Sequence, residues 1–470
     1  MNYNAVTDFI RLSPHTAIYW EDQEITYEDV YHNVNRYRNK LADLYQMGAH
    51  IAIKMSDSPE WIYLFWGCVK AGIIPYLYST MLKDEEYEDL FKRYPVVATF
   101  DDDSITSFDI TADDNTDHPP VDTLKDSLCF YMFSSGTTGY IKAIPHQHKD
   151  MAFTAINYAK KTILLNAYDV TFSAAKLFFA YGFGNSMTFP FFVGAATVLM
   201  KEPSSVKGVN DYLLKYKPTV YFGVPSILAG QVRSLQSNPK DLSFLRISCS
   251  AGEALPGKIL NEWIELTDSP ILDGIGSTEA LHIFISNRHE CFEPNCSGRL
   301  VPGYQAKVLD IKKQEVPDGE IGDLYIKGGS LSIGDDWMET GDMYIKKGSR
   351  FYYQGRNNDM LKVGGVWVSP NSIEEAILNH PDVSEAGVVY GYSNYDLTKL
   401  KAYVVLNDKS KQTTQTKVAI KRLCMKTLPL NNYPSYIEFV DVLPRTATGK
   451  LRRHVLRLWE AFTHDQDTDI

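Results

Sequence analysis

Ser127-Leu128-Cys129-Phe130-Tyr131-Met132-Phe133 runs directly into Ser134-Ser135-Gly136-Thr137-Thr138-Gly139-Tyr140-Ile141-Lys142. The first seven residues form an apolar run of the length of a buried strand. The second part is a Ser/Thr/Gly loop. Gly136 and Gly139 free the backbone to wrap closely around a ligand. Ser134, Ser135, Thr137 and Thr138 bring four hydroxyls, backbone N–H groups add donors, and Lys142 adds a positive charge, a set suited to phosphate oxygens. The same composition also suits an ordinary surface loop. The P-loop pattern needs four residues between Gly and Gly-Lys-Ser/Thr, and this loop lacks them, so a P-loop NTPase is disfavoured.

Downstream of this loop, apolar runs alternate with amphipathic ones. Helices are expected over 148–163, 226–237 and 256–266, and strands over 219–223, 245–250 and 271–275. This alternation argues for βαβ units and parallel sheets. Upstream, 27–45 and 59–71 read as helices of the same layers. Between about 298 and 353 the texture changes to short strands (305–309, 323–326, 351–353) separated by turns such as Pro317-Asp318-Gly319, a small antiparallel region. Beyond Gly355 come a helix (372–379), two strands (385–392, 401–406) and a helix (417–428), a small α+β unit. The expected fold class is therefore α/β: a large N-terminal domain of layered βαβ sheets with a small antiparallel β region (residues 1–357), and a small, mobile α+β C-terminal domain (358–470).

Composition bounds the function. Across 470 residues, 44% are hydrophobic and 22% charged, ordinary globular values that exclude a disordered or fibrous chain. Net charge is −11, and no Lys/Arg-rich block provides the basic face of a nucleic-acid binder. From Arg356 onward 15 Lys/Arg stand against 13 Asp/Glu, so the small unit is weakly basic and the rest carries the negative charge, as suits a closing lid. Six scattered cysteines (Cys68, Cys129, Cys249, Cys291, Cys296, Cys424) form no disulfide framework, and the N-terminus lacks the apolar core of a signal peptide. A cytoplasmic location follows as the expectation. Residues 177–200 carry no charge, long enough for a membrane span. Gly182, Gly184, Asn185, Ser186, Pro190 and Gly194 interrupt them, so a buried loop–helix–strand segment is expected and no membrane association. Asp465–Ile470 reads as an acidic tail. His282, His289, Cys291 and Cys296 lack the paired spacing of a zinc site.

Five segments together resemble the AMP-forming adenylating enzymes, the superfamily of acyl-CoA synthetases, adenylation domains and luciferase. The first is the 134–142 loop, where Ile141-Lys142-Ala143 replaces the family's Pro-Lys-Gly. Gly274-Ile275-Gly276-Ser277-Thr278-Glu279 is similar to Tyr-Gly-x-Thr-Glu, with Ile275 at the tyrosine position. Glu339-Thr340-Gly341-Asp342 matches Thr-Gly-Asp. Gly355-Arg356-Asn357-Asn358-Asp359-Met360-Leu361-Lys362 with Gly365 resembles the hinge segment, and Pro444-Arg445-Thr446-Ala447-Thr448-Gly449-Lys450 the C-terminal lysine loop. The stretches 173–182 and 273–284 resemble the benzoate–CoA ligase branch.

The resemblance implies attack of a carboxylate on the α-phosphate of ATP, then transfer of the acyl group to a thiol. It implies Lys450, Thr278 and Glu279 as catalytic, with Glu279 a Mg²⁺ ligand and Thr278 donating its hydroxyl to a phosphate. Ser134, Ser135, Gly136, Thr137, Thr138, Gly139 and Lys142 would hold phosphates. Gly252, Glu253, Ala254, Asp273, Gly274 and Ile275 would lie on the adenine side. Asp342 would accept from both ribose hydroxyls, Arg356 would reach the same ribose or the phosphates, and Gly365 would border the thiol channel. Ala180, Tyr181, Gly276, His282 and Ile283 would shape a flat acid slot, in which His282 can bond a ring substituent or the carboxylate. Asn358 stands where the family commonly has an acidic residue or Lys as pivot. The implied small molecules are ATP, Mg²⁺, an aromatic carboxylic acid and coenzyme A, or else the phosphopantetheine of a carrier protein. A non-catalytic nucleotide-binding relic is the remaining alternative, and the retention of Lys450, Glu279 and Asp342 counts against it.

Overall fold

A computed structural model describes residues 2–108, 110, 116–135, 141–289, 292–332, 336–363, 366–392, 398–428, 433–445 and 451–463. Asp465–Ile470 lie outside them.

After a short helix and a hairpin comes the first long helix, whose start is written in its sequence. Thr26 accepts from the Asp29 N–H, and the Asp29 carboxylate accepts back from Thr26 N, a reciprocal cap for Tyr27–Leu44. Ser58 caps the next helix, Pro59–Ala71, Pro59 fills its first turn, and Gly72 closes it in the left-handed region (φ 71°). Every residue of Pro59–Ala71 except Glu60 is buried. A helix apolar all round must sit inside, and this one lies in the core, with Trp66 stacked on Phe9 and Phe65 edge-on to Phe130 and Phe183.

Two parallel sheets form around that core. The first has five strands in the order Ala98–Asp101, His50–Lys54, Ile74–Leu77, Leu128–Ser135, Ile141–Gln147, with only the last antiparallel. The second has nine: Arg299–Leu300, Ile283–Ser286, Ile271–Gly276, Ile247–Ser250, Val220–Gly223, Val170–Ser173, Ala196–Val198, Thr16–Trp20, Gln23–Thr26. Its six central strands are parallel and its two edges antiparallel. Fully buried runs such as Val220–Gly223 and Ile247–Ser250 carry no alternation because both faces are covered. The antiparallel region is a four-stranded sheet of Tyr304–Leu309, Ile321–Gly328, Met338–Lys347 and Arg350–Arg356. The α+β unit holds the three strands Val383–Tyr392, Thr398–Leu406 and Tyr436–Phe439, with helices Pro370–Leu378, Thr414–Thr427 and Arg453–Thr463. Its buried clusters, from Val368 to Leu456, are separate from those of the preceding chain.

Two stretches differ from expectation. Residues 148–163 form an α-helix only over His148–Thr154, followed by a π-helix over Ala155–Lys160. There the Asn157 side chain donates to Phe153 O and the Thr162 hydroxyl to Asn157 O, so side chains compete for the carbonyls of the regular ladder. The uncharged stretch does fold as loop, helix and strand, but its helix is α over Ala180–Phe183, π over Gly184–Thr188 and α over Phe189–Val193, before the Ala196–Val198 strand. Among the described residues no helix is long and apolar enough to cross a membrane.

Candidate active site

The site gathers at the carboxyl ends of the parallel strands, where backbone is exposed beyond the sheet. The Leu128–Ser135 and Ile141–Gln147 strands form a hairpin whose register sets Lys142 opposite Ser134, so both side chains share one face. Ser134 Oγ donates to Glu279 Oε1 at 3.4 Å. Glu279 and Thr278 lie in a short 3-10 turn, Thr278–Ala280, fixed by the Ser277 hydroxyl accepting from Ala280 N. Gly136, Thr137, Thr138, Gly139, Gly365 and Lys450 lie outside the described residues. Asn358 belongs to a 3-10 turn, Asn357–Asp359, between the two units.

A cleft of about 620 Å³ opens beside this turn. Gly252, Glu253, Ala254, Asp273, Gly274, Ile275, Gly276, Asp342 and Arg356 line it from the large unit, and Glu385 and Arg445 from the small one. Asp273 is buried, burial pushes its carboxyl well above the usual range, and its Oδ1 has no hydrogen-bond partner among the described residues. An orphaned acceptor at a cleft wall suits a ligand with N–H donors, as adenine has. Asp342 and Arg356 are register partners on neighbouring strands, with Nε 3.0 Å from Oδ1, and Arg356 Nη1 donates to Thr340 O. Asp342 is buried with its carboxylate at the cleft, and Arg356 is half-exposed. No group of three or more His, Cys, Asp or Glu side chains forms a cage for a metal among the described residues. Glu279 would offer a carboxylate oxygen to a hard cation such as Mg²⁺, which commonly keeps water and phosphate oxygens in its shell.

Gly276 joins the cleft to the residues expected to hold the acid. A Cβ there would stand 2.6 Å from His282 O, so only glycine lets the two strands approach. A Cβ at Gly184 would stand 2.5 Å from His282 Cδ2. His282 is thus clamped between helix and sheet, its ring 4.4 Å from that of Phe189, 5.0 Å from Tyr158 and 5.5 Å from Tyr181. Its Nε2 faces two oxygens, Asn185 Oδ1 at 3.2 Å and Tyr181 O at 3.4 Å, so Nε2 carries the proton. Burial lowers its pKa to about 3. The neutral ring leaves Nδ1 only as an acceptor, which suits a hydroxyl or amino hydrogen and repels a carboxylate. Ile283 is buried, while Ala180 and Tyr181 open the helix on the other side and are half-buried.

Sequence reasoning missed three features. Asp57, fully buried, accepts from Leu177 N at 2.9 Å and lies 4.0 Å from Lys176 Nζ, anchoring the chain just before Ala180. Burial raises its carboxyl to about 6. Nothing local marks Asp57, since its partners lie 120 residues away. Next to Asn358, Asp359 pairs with Arg457 at 2.7 Å and Arg453 at 3.7 Å, so negative charge at the turn comes from the neighbouring residue. Arg445 lies 3.7 Å from Glu253 and 2.6 Å from Glu385.

A family model described as AMP-binding enzyme matches residues 11–334, and one described as AMP-binding enzyme C-terminal domain matches 372–450. The chain is 34% identical to a benzoate–CoA ligase of Thauera aromatica over 97% of this chain and 96% of the relative. Among solved structures it is similar to the anthranilate CoA ligase AuaEII in complex with anthranoyl-AMP (TM-score 0.91, 32% identity, 99% of this chain and 98% of that one). It is also similar to a benzoate CoA ligase from Burkholderia xenovorans LB400 (TM-score 0.87, 32% identity, 97% of this chain and 100% of that one).

Proposed function

The chain belongs to the AMP-binding enzyme family, and from that premise we propose that it is an AMP-forming aryl acid–CoA ligase acting on benzoate or a small substituted benzoate. The observation that carries this reading is the position of Gly276, which lines the nucleotide cleft and packs against His282 in the acid pocket. A small ring held beside Gly276 would present its carboxylate toward the phosphates.

In the first half-reaction a carboxylate oxygen bonds to the α-phosphorus of ATP, the bond to the bridging oxygen breaks, and pyrophosphate leaves. In the second, the thiol sulfur of CoA bonds to the acyl carbon, AMP leaves, and the thiol proton passes to solvent. Both partners of the first step are anions, so cations must be placed in advance. Lys450 and Lys142 supply them from the chain. Mg²⁺, held by Glu279, would neutralise phosphate charge. Asp342 accepts from the ribose hydroxyls with Arg356 steadying its carboxylate, and Thr278 and Ser134 donate to phosphate oxygens. The ring rests between Ala180, Tyr181 and Ile283. We place the boundary between the units at 357/358, with the second rotating about Asn358 between half-reactions so that Gly365 then borders the thiol channel.

The test is pyrophosphate release with ATP across benzoate, 2-aminobenzoate, hydroxybenzoates, cinnamate, hexanoate and octanoate, then thioester formation with CoA. We expect aryl acids to exceed fatty acids of comparable carbon count, because a rigid ring loses little rotamer entropy on binding. Lys450→Ala should slow pyrophosphate release by roughly 10²–10³-fold and leave thioester formation from supplied acyl adenylate far less affected. A preference for octanoate would refute the aryl-acid reading. Acyl adenylate made without any thioester from CoA would refute CoA as acceptor.

A further inference from the structure

The second unit touches the first through charge. Glu253 stands in the turn after the Ile247–Ser250 strand, beside Gly252 (φ 100°), and both line the cleft. Arg445 Nη1 lies 3.7 Å from Glu253 Oε2, and its other terminal nitrogen, Nη2, donates to Glu385 Oε2 at 2.6 Å. Glu385 lies on the Val383–Tyr392 strand of the small unit. The guanidinium is thus held from its own side by a short charge-assisted bond and faces the large unit with its second nitrogen. A planar fork can serve two carboxylates in fixed directions, which an ammonium cannot. Arg445 also forms an antiparallel bridge with Leu451, and Arg452 N donates to Pro444 O at 2.8 Å, so the backbone around Arg445 is tied down. A second tether, Lys258 Nζ to Leu378 O at 3.1 Å, crosses the same face.

We propose that Arg445 is a positioning residue for adenylation: bridging Glu385 to Glu253, it docks the small unit against the turn beside the nucleotide cleft. The proposal rests on the two-step ligase reading above. With Arg445 gone, Glu253 and Glu385 lose the cation they share, and the docked arrangement is disfavoured. In the thioester step the small unit has turned away, so the bridge has no part in it.

The pair is about one-quarter to one-third exposed, so its contribution is modest and salt-sensitive. Arg445→Ala should reduce the rate of pyrophosphate release by roughly 3- to 10-fold at saturating acid, a shift in the docked population rather than in acid affinity. Thioester formation from supplied aryl adenylate should change less than about twofold, which also shows that the variant is folded. Arg445→Lys should fall between the two. Glu253→Gln should slow adenylation, and the double variant should lose less than the product of the single losses, because the two residues act through one contact. Raising NaCl should slow wild-type adenylation more steeply than that of Arg445→Ala. Equal losses in both half-reactions, wild-type adenylation by Arg445→Ala, or multiplicative losses in the double variant would each overturn the proposal. Wild-type protein that releases no pyrophosphate with any aryl acid would instead overturn the ligase reading and this proposal with it.

Discussion

Ser134 and Glu279, 145 residues apart in the chain, meet through a hydroxyl–carboxylate contact at 3.4 Å. One closes the strand before the Ser/Thr/Gly loop and the other sits in the turn after the Ile271–Gly276 strand, so the contact links the two sheets at the site. Glu279→Gln keeps an oxygen for Ser134 but removes the charge proposed to hold a hard cation. The Mg²⁺ concentration for half-maximal pyrophosphate release should rise roughly tenfold, about 1.4 kcal/mol of cation binding. A Mg²⁺ titration superimposable on wild type would remove Glu279 from the metal site.

Ala180→Phe should fill the slot beside Tyr181. Overpacking is worth roughly 1–3 kcal/mol, so kcat/KM for benzoate should fall by about 5- to 150-fold. Thermal unfolding should shift little, because Ala180 is only half-buried. Undiminished benzoate turnover would mean the ring binds elsewhere.

Asp57→Ala leaves Lys176 as a buried cation without its carboxylate and frees Leu177 N. Breaking a buried pair from one side costs about 3–5 kcal/mol. Denaturant unfolding should show a loss of that order. Catalysis should decline too, since residues 176–181 lead into the proposed acid pocket. A loss below about 1 kcal/mol would show that solvent reaches Lys176.

His148 is buried, accepts from Ala5 N, and has its pKa lowered to about 4 by burial. Its unfolded value is 6.5. The unfolded chain therefore binds the proton more readily. The stabilisation is complete above about pH 6.5 and is lost as pH falls toward 4. Between pH 7 and pH 5, wild type should lose about 2 kcal/mol more unfolding free energy than His148→Gln. Parallel pH curves for the two proteins would contradict a neutral His148.

Much of this was legible in local sequence. The strand–loop start at 128–135, the helices at 59–71 and 225–237, and the strand at 271–276 carry their own apolar runs, caps and breakers. Asp273 lies within a strand of the parallel sheet, the 252–254 turn follows its neighbour, and Asp342 and Arg356 lie on paired strands of the antiparallel sheet, yet all line one cleft. What sequence hid depends on distance along the chain. Asp57 and Lys176, or Arg445 and Glu253, show no mutual signal until the fold brings them within 4.0 Å. The π-helical turns were illegible for another reason. Asn157 and Thr162 fit an α-helical pattern on paper, and only their bonds to carbonyls reveal the wider turn. His282 read from sequence as a ligand for ring or carboxylate, and only its oxygen neighbours assign the tautomer.

The nine-stranded sheet has a consequence for how this chain comes to life. One edge is the hairpin of Thr16–Trp20 and Gln23–Thr26, and the other is Arg299–Leu300, with the Ile283–Ser286 strand, which carries part of the proposed acid pocket, just inside it. During synthesis the first edge emerges early and waits for its partner strand Ala196–Val198, which pairs Thr197 with Ile18. Long-range pairing of this kind is slow, because loop closure precedes its reward. The proposed acid pocket is thus among the last parts of its sheet to be made, and a nascent chain stalled before residue 283 presents the Ile271–Gly276 strand as an open edge, the place where such a chain is most prone to aggregate or to need a chaperone.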